Sequence, residues 1–165
     1  MNILVTAASR HGATRLIAEE IAARLAEHDH TAVVRPPKDV ASLDEFDAVV
    51  LGSAVYAGRW LGAARDFADA HAPALRLKPV WIFASGPIGD PPMPAEPAED
   101  TGRVAGELGA RGVATFGGRL AYAELGLGER VIVRAVRARD GDHRDWGAIH
   151  AFADGIATAL APAPV

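Results

Sequence analysis

Asn2-Ile3-Leu4-Val5-Thr6-Ala7-Ala8, followed at once by Ser9-Arg10-His11-Gly12-Ala13-Thr14, is the stretch that decides the fold of this chain. A short apolar run passes into small and hydroxylated residues, and an amphipathic stretch begins directly after them. Strand, loop and helix in that order build an anion site. The loop turns backbone N–H groups inward, and the unpaired first-turn amides of the helix carry a partial positive charge. Gly12 permits a turn that a Cβ would obstruct and lets backbone approach a ligand closely. The hydroxyls of Ser9 and Thr14 add donors, so a phosphate fits the loop. Neither Gly-x-Gly-x-x-Gly nor the Gly-Lys-Ser/Thr ending of a P-loop occurs here, which removes support for a Rossmann dinucleotide site and for a nucleoside triphosphatase. An ordinary strand–helix connection, capped by Ser9 or Thr14, accounts for the same residues. The loop alone leaves both readings open.

The composition narrows the field. A chain of 165 residues, half of them hydrophobic, is long enough for one domain with a sizeable core and too apolar for disorder. The expected domain is 1–161, with 162–165 a disordered tail. A formal charge of −4 argues against nucleic acid as a partner. Without cysteine there are no disulfides, no thiol catalysis and no thiolate metal sites. Met1-Asn2-Ile3 has neither the charged region nor the cleavage pattern of a signal peptide, and no apolar run is long enough to span a bilayer. The expected location is the cytoplasm.

Outward from the opening stretch, strands and helices alternate. A helix is predicted over Ala13 to Glu27, with Leu16, Ile17, Ile21 and Leu25 as its stripe and Ala18 and Ala22 filling it. Thr31 to Arg35 reads as strand two, stopped by Pro36-Pro37. Ala48 to Leu51, ending at Gly52-Ser53, and Val80 to Ala84, ending at Ser85-Gly86-Pro87, are continuous apolar runs of the kind covered on both faces. Between them a helix is predicted from Leu61 to His71, ended by Pro73. A proline-rich loop follows from Pro87 to Pro97. A third helix is expected over Ala98 to Ala110, closed by Gly112. A fifth strand starts at Val113 to Phe116 and is allowed to continue to Tyr122. A last helix is expected over Asp145 to Leu160, lined by Ile149, Phe152, Ala153 and Ile156. This alternation predicts an α/β fold: a doubly wound, five-stranded parallel sheet of order 2-1-3-4-5 with helices on both faces. Its switch point lies between strands one and three, where the loops after strands one, three and four open together.

The second of these loops is Gly52-Ser53-Ala54-Val55-Tyr56-Ala57-Gly58-Arg59-Trp60. Two aromatics between glycines suit a planar ligand, although both also suit packing beneath the next helix. The third loop, Ser85-Gly86-Pro87-Ile88-Gly89-Asp90, offers backbone amides to a polar ring edge, or is simply the turn that leaves the sheet. With these residues in place the chain resembles the flavodoxin family. It resembles most the flavodoxin-domain branch that includes menaquinone-dependent protoporphyrinogen IX dehydrogenases. The resemblance rests on Ser9 to Thr14, Leu51 to Trp60 and Phe83 to Asp90, and continues to Asp145-Trp146.

The resemblance implies FMN. Its phosphate would meet the hydroxyls of Ser9 and Thr14 and the amides of Arg10, His11, Gly12 and Ala13. Tyr56 would stack on or flank the ring, with Ala54, Val55 and Gly58 lending backbone. Ser85, Gly86, Pro87 and Gly89 would border the other edge. Ala13 stands where many relatives have Ser or Thr, and the third loop lacks the aromatic that covers the second flavin face in typical electron-carrier flavodoxins. No catalytic side chain is assigned and no metal site is expected: His71, His143 and His150 show no metal-ligand spacing. His11 is expected to point to solvent while its backbone binds. His28 and His30 end a helix, where positive charge is favourable. Gly128 to Arg139 is the ambiguous segment. Read as a helix it puts Arg130, Arg134 and Arg137 on one face and packs Val131, Ile132, Val133 and Val136 elsewhere. Such a face suits a solvated surface, and leaves peripheral membrane contact or an anionic substrate open. Asp140-Gly141-Asp142 reads as a plain turn. Three functions are compatible: an FMN-dependent oxidoreductase passing electrons from a small-molecule or protein donor to an acceptor such as a quinone; a menaquinone-dependent protoporphyrinogen IX dehydrogenase; and a binding module that has lost FMN.

Overall fold

The computed structural model describes residues 1–86, 98–135 and 141–162. β1 (Asn2–Ala8), α1 (Ala13–Glu27) and β2 (Thr31–Arg35) have the predicted bounds. They are followed by β3 (Ala48–Tyr56), β4 (Arg59–Trp60), α2 (Gly62–Leu75), β5 (Val80–Ser85), α3 (Glu99–Leu108) and β6 (Gly112–Phe116). After these come β7 (Arg119–Leu120), α4 (Leu127–Ala135), β8 (Gly141–Asp142) and α5 (Trp146–Leu160). The main sheet runs β2-β1-β3-β5-β6, all parallel, and β4 folds back antiparallel on the end of β3. With the short β4 set aside, this is the predicted doubly wound order.

Side chains alternate across each strand, so the sheet divides the core in two. Ile3, Val5, Val50 and Phe83 pack with Ile17, Ile21 and Leu25 of α1 and Ile149, Ala153 and Ile156 of α5. Leu4, Val49, Leu51 and Ile82 pack with Ala64, Phe67 and Leu75 of α2 and Val104 and Leu108 of α3. Ile3, Leu4 and Val5 are wholly buried because both faces of β1 are covered. Polar pairs stitch α1 to α5 on the outside. Asp154 accepts from Arg24 Nε at 2.8 Å and lies 2.7 Å from His28 Nε2, and these partners hold its carboxyl down at about 2.

Several bounds differ from the sequence expectation, each for a physical reason. β3 does not stop at Gly52-Ser53; pairing with β1, β5 and then β4 carries it to Tyr56. α2 passes through Pro73 to the fully buried Leu75: a proline in the last turn gives up one hydrogen bond, and burial of Leu75 offsets it. α3 ends at Gly109, whose φ of 64° terminates it before Gly112, and Gly112 opens β6 instead. The fifth strand stops at Phe116; Arg119–Leu120 pair away from the main sheet with Gly141–Asp142, so the presumed plain turn supplies a strand. The ambiguous segment is helical over Leu127–Ala135. Only Val133 of its valines is shown buried, in a small cluster with Leu120 and Leu125, whereas Val131 is 69% exposed. Leu16 also leaves its predicted stripe, because it sits about 100° round the helix from the Ile17–Ile21–Leu25 line. The proline-rich loop 87–97, Val136 and Arg137, and tail residues 163–165 lie outside the described residues.

Gly52 faces Phe83 across the β3–β5 register, and a Cβ there would run into the Phe83 ring. Gly52→Ala should therefore destabilise the fold by about 1–3 kcal/mol through overpacking, read as a lowered urea midpoint at unchanged slope. An unchanged midpoint would contradict the tight Gly52–Phe83 approach.

Candidate functional site

The loop from Ser9 to Gly12 leaves the carboxyl end of β1 at the switch point between β1 and β3. Gly12 is the N-cap of α1 at φ 84°, a left-handed conformation that glycine adopts without strain. The helix has no side-chain cap and no acidic residue in its first turn. The alternative in which Ser9 or Thr14 merely caps the helix is therefore not realised. The intrahelical ladder starts with Leu16 N donating to Gly12 O at 3.0 Å, so the amides before it keep their donor capacity. Thr14, in the first turn, is only 2% exposed. A turn of uncommitted donors, with no carboxylate competing in the first turn, is what an oxyanion needs.

Two side chains of this loop turn sideways. Arg10 Nη1 donates to Glu129 Oε1 at 2.7 Å, and His11 Nε2 lies 3.1 Å from the same oxygen. The other carboxylate oxygen, Oε2, accepts from Gly126 N at 2.9 Å, at the start of α4. The Arg10 guanidinium sits 4.7 Å from the centre of the Tyr56 ring, and His11 meets that ring edge-on at 6.4 Å. Arg10, His11, Tyr56 and Glu129 thus tie three segments together: the loop after β1, the end of β3 and α4. His11, expected in solvent, is instead drawn into this cluster by Glu129 and Tyr56, with its side chain 25% exposed. Glu129 was invisible as a partner because it lies 119 positions from Arg10 in a segment of ambiguous structure. The hydrogen bond from Arg10, then those from the Gly126 amide and His11, lower the Glu129 carboxyl to about 2. Burial, then Glu129, raise the Tyr56 hydroxyl, against the pull of Arg10.

Tyr56 owes its position to a two-residue hairpin. Ala57 and Gly58 have φ of 49° and 74°, the two positive values that a tight turn between β3 and β4 requires. The returning strand is anchored from beneath. Asp100 Oδ2, on the first turn of α3, accepts from Trp60 N at 2.9 Å and Arg59 Nε at 3.0 Å. Burial alone would raise the Asp100 carboxyl, but the Trp60 amide and Arg59 hold it below the usual carboxylate range. Trp60 Nε1 donates to Thr101 Oγ1 at 2.9 Å and the ring is 2% exposed, so Trp60 belongs to the support and not to a ligand-facing surface. Ser53 Oγ accepts from Leu61 N at 3.0 Å and donates to Ala54 O at 2.9 Å, which fixes the other end. Sequence reasoning missed Asp100; an acid opening a helix is an ordinary dipole partner and carries no mark of a distant role.

Ala54 is buried in β3 opposite Ser85, and Ser85 closes β5 between Ala54 and Phe116. Gly86 N donates to Phe116 O at 3.2 Å, so this amide extends the sheet and is not free for a ring edge. A Cβ on Gly86 would come within 3.0 Å of Val55 Cβ and 3.1 Å of Val55 O, so the two loops touch here. Pro87 and Gly89 lie outside the described residues. The structure therefore brings together Ser9 to Thr14 and Val55 to Gly58 across the carboxyl ends of β1 and β3, with Ser85 and Gly86 alongside.

An uncapped helix start at the switch point of a five-stranded parallel sheet defines an α/β protein of the doubly wound class. Residues 4–146 match the model of the flavodoxin domain, and the chain belongs to that family. Among solved structures it is similar to a flavodoxin from the domain Archaea, at 17% identity over 96% of this chain and 98% of that one, TM-score 0.69. It is similar to oxidised flavodoxin 1 from Bacillus cereus, at 17% identity over 98% and 100%, TM-score 0.66. It also matches 36% of rubredoxin oxygen:oxidoreductase from Desulfovibrio gigas, at 14% identity over 96% of this chain, TM-score 0.69. At such identities these likenesses speak for the fold. No curated protein matches the chain.

The Glu129 cluster has a defined pH dependence. The Glu129 carboxyl titrates in the folded state below the ordinary glutamate value of 4.5, so the contact is complete above that value and is lost as pH falls towards 2. Carbon NMR of the Glu129 side-chain carboxyl should show a midpoint near 2 in the wild type and a higher one in Arg10→Ala, still below the ordinary glutamate value because the Gly126 amide and His11 remain. A wild-type midpoint near 4.5 would contradict the Arg10–Glu129 geometry.

Proposed function

We propose that this protein binds FMN at the switch-point edge and passes electrons between a reduced substrate and an acceptor such as a quinone. The observation that carries the proposal is the start of α1: a left-handed Gly12 at the N-cap, no side-chain cap and no acid in the first turn. The donors there fit a phosphate. In this reading the hydroxyls of Ser9 and Thr14 hold it together with the amides of Arg10, His11, Gly12 and Ala13. Tyr56, set on its hairpin, borders the ring, with Ala54, Val55 and Gly58 beside it and Ser85, Gly86, Pro87 and Gly89 along the other edge. Bound FMN supplies reversible electron and hydride transfer. The chain supplies binding, orientation and charge. Glu129 draws the Arg10 guanidinium and the His11 ring away from the loop centre, leaving neutral amides and hydroxyls to meet the phosphate. The setting we propose is cytoplasmic, with a small-molecule or protein donor; no helix among the described residues is long and apolar enough to cross a membrane. Protoporphyrinogen IX as donor and menaquinone as acceptor form the narrower version, and quinone-dependent turnover of protoporphyrinogen tests it.

One observation favours a second reading, a flavodoxin-like binding module without FMN. The Arg10 guanidinium already lies against the Tyr56 ring, and Glu129 holds it there. A protein that is colourless as purified and stays so after incubation with FMN would support that reading.

Ser9→Ala combined with Thr14→Ala should weaken FMN binding by at least about tenfold, because two donors to a charged phosphate are lost. Quenching of flavin fluorescence during titration measures this. Unchanged affinity would overturn the phosphate assignment.

A further inference from the structure

A separate cavity of about 420 Å³ opens at the same sheet edge, on the β2 side of the loop after β1. Its volume is that of a single small-molecule site. Arg15 from α1, Arg35 from the end of β2 and Lys38 just beyond it line this cavity against one carboxylate, Glu19. That is a concentration of positive charge on a chain whose formal charge is −4. The cations are not equally committed. Arg35 is paired with Glu45 at 2.6 Å, and Arg15 lies 3.6 Å from Glu19, a loose contact on one helix face. Lys38 has no carboxylate partner among the described residues. The lining also includes the apolar residues Val34, Pro36, Pro37 and Leu61. A flat, uncharged body fits against such residues, and the cations meet an anionic end.

Ser9 lines this cavity and also belongs to the loop that holds the phosphate in the proposed function. The two sites therefore share a wall. We infer that the cavity is a binding site for a nucleoside monophosphate, its base between Val34, Pro36 and Leu61 and its phosphate towards Lys38 and Arg15. Glu19 is placed to accept from a ribose hydroxyl or an exocyclic amine. One chemistry has two sources here: a free nucleotide, or the adenylate half of FAD reaching across from the neighbouring loop. Only the second source rests on the flavin reading.

The test uses adenosine monophosphate, FMN and FAD as probes on the purified protein, and on a variant carrying Arg15→Ala and Lys38→Glu, which adds no acid to the first turn of α1. By titration calorimetry, adenosine monophosphate should bind saturably at one site, and the variant should weaken it by at least about tenfold through loss of charge-assisted contacts. Neither substituted residue is assigned to the FMN site, so FMN affinity should hold, which also shows that the variant is folded. FAD binding tighter than FMN, with the advantage lost in the variant, identifies the tethered source. Equal affinities, with adenosine monophosphate still binding FMN-loaded protein, identify the free nucleotide. Adenosine monophosphate binding that the variant leaves unchanged overturns the inference. So does the absence of saturable binding together with no preference for FAD. Failure of both flavins to bind while adenosine monophosphate binds overturns the flavin reading and leaves the cavity assignment standing.

Discussion

A helix of fifteen residues begins at Ala13 with amides that nothing in its own first turn can satisfy. Gly12 aims them, its left-handed φ turning the chain from β1 into α1 within four residues. The buried sheet holds them in place, because β1 is paired on both sides and covered on both faces, so the loop it launches cannot drift. The rest of the edge is organised about this set of donors: Tyr56 by its hairpin, the hairpin by Asp100, and the side chains of Arg10 and His11 by Glu129.

The architecture was legible because it depends on local pattern. Continuous apolar runs marked β1, β3 and β5, and 3.6-residue periodicity marked α1 and α5 with nearly correct ends. What was not legible depends on distance. Asp100 reads as a helix-opening acid until β4 is seen to return beneath it; Glu129 reads as a surface charge until α4 is seen to lie over the first loop. Trp60 could have faced a ligand or the core, and only the Thr101 hydroxyl decides for the core. The strand ends were misplaced where sheet pairing, which a single segment does not encode, overrides glycine and serine at positions 52 and 53.

The cluster around Tyr56 sets the charge at the edge of the site. Arg10 and His11 could each donate to an anion, yet Glu129 takes up both through one oxygen. The donors left facing the loop are mainly amides and hydroxyls, which in the proposed function would meet an oxyanion through oriented dipoles and impose no net charge. The chain's membership of the flavodoxin-domain family agrees with this arrangement of β1, loop and α1.

The central claim, that the start of α1 anchors a phosphate, is tested most directly by comparing FMN with riboflavin, which carries the same ring without the phosphate. Titration of both into the purified protein, followed by flavin fluorescence, should give an FMN affinity at least about a hundredfold tighter, since several charge-assisted bonds go to the phosphate. Equal affinities for the two flavins, or binding of neither, would contradict it.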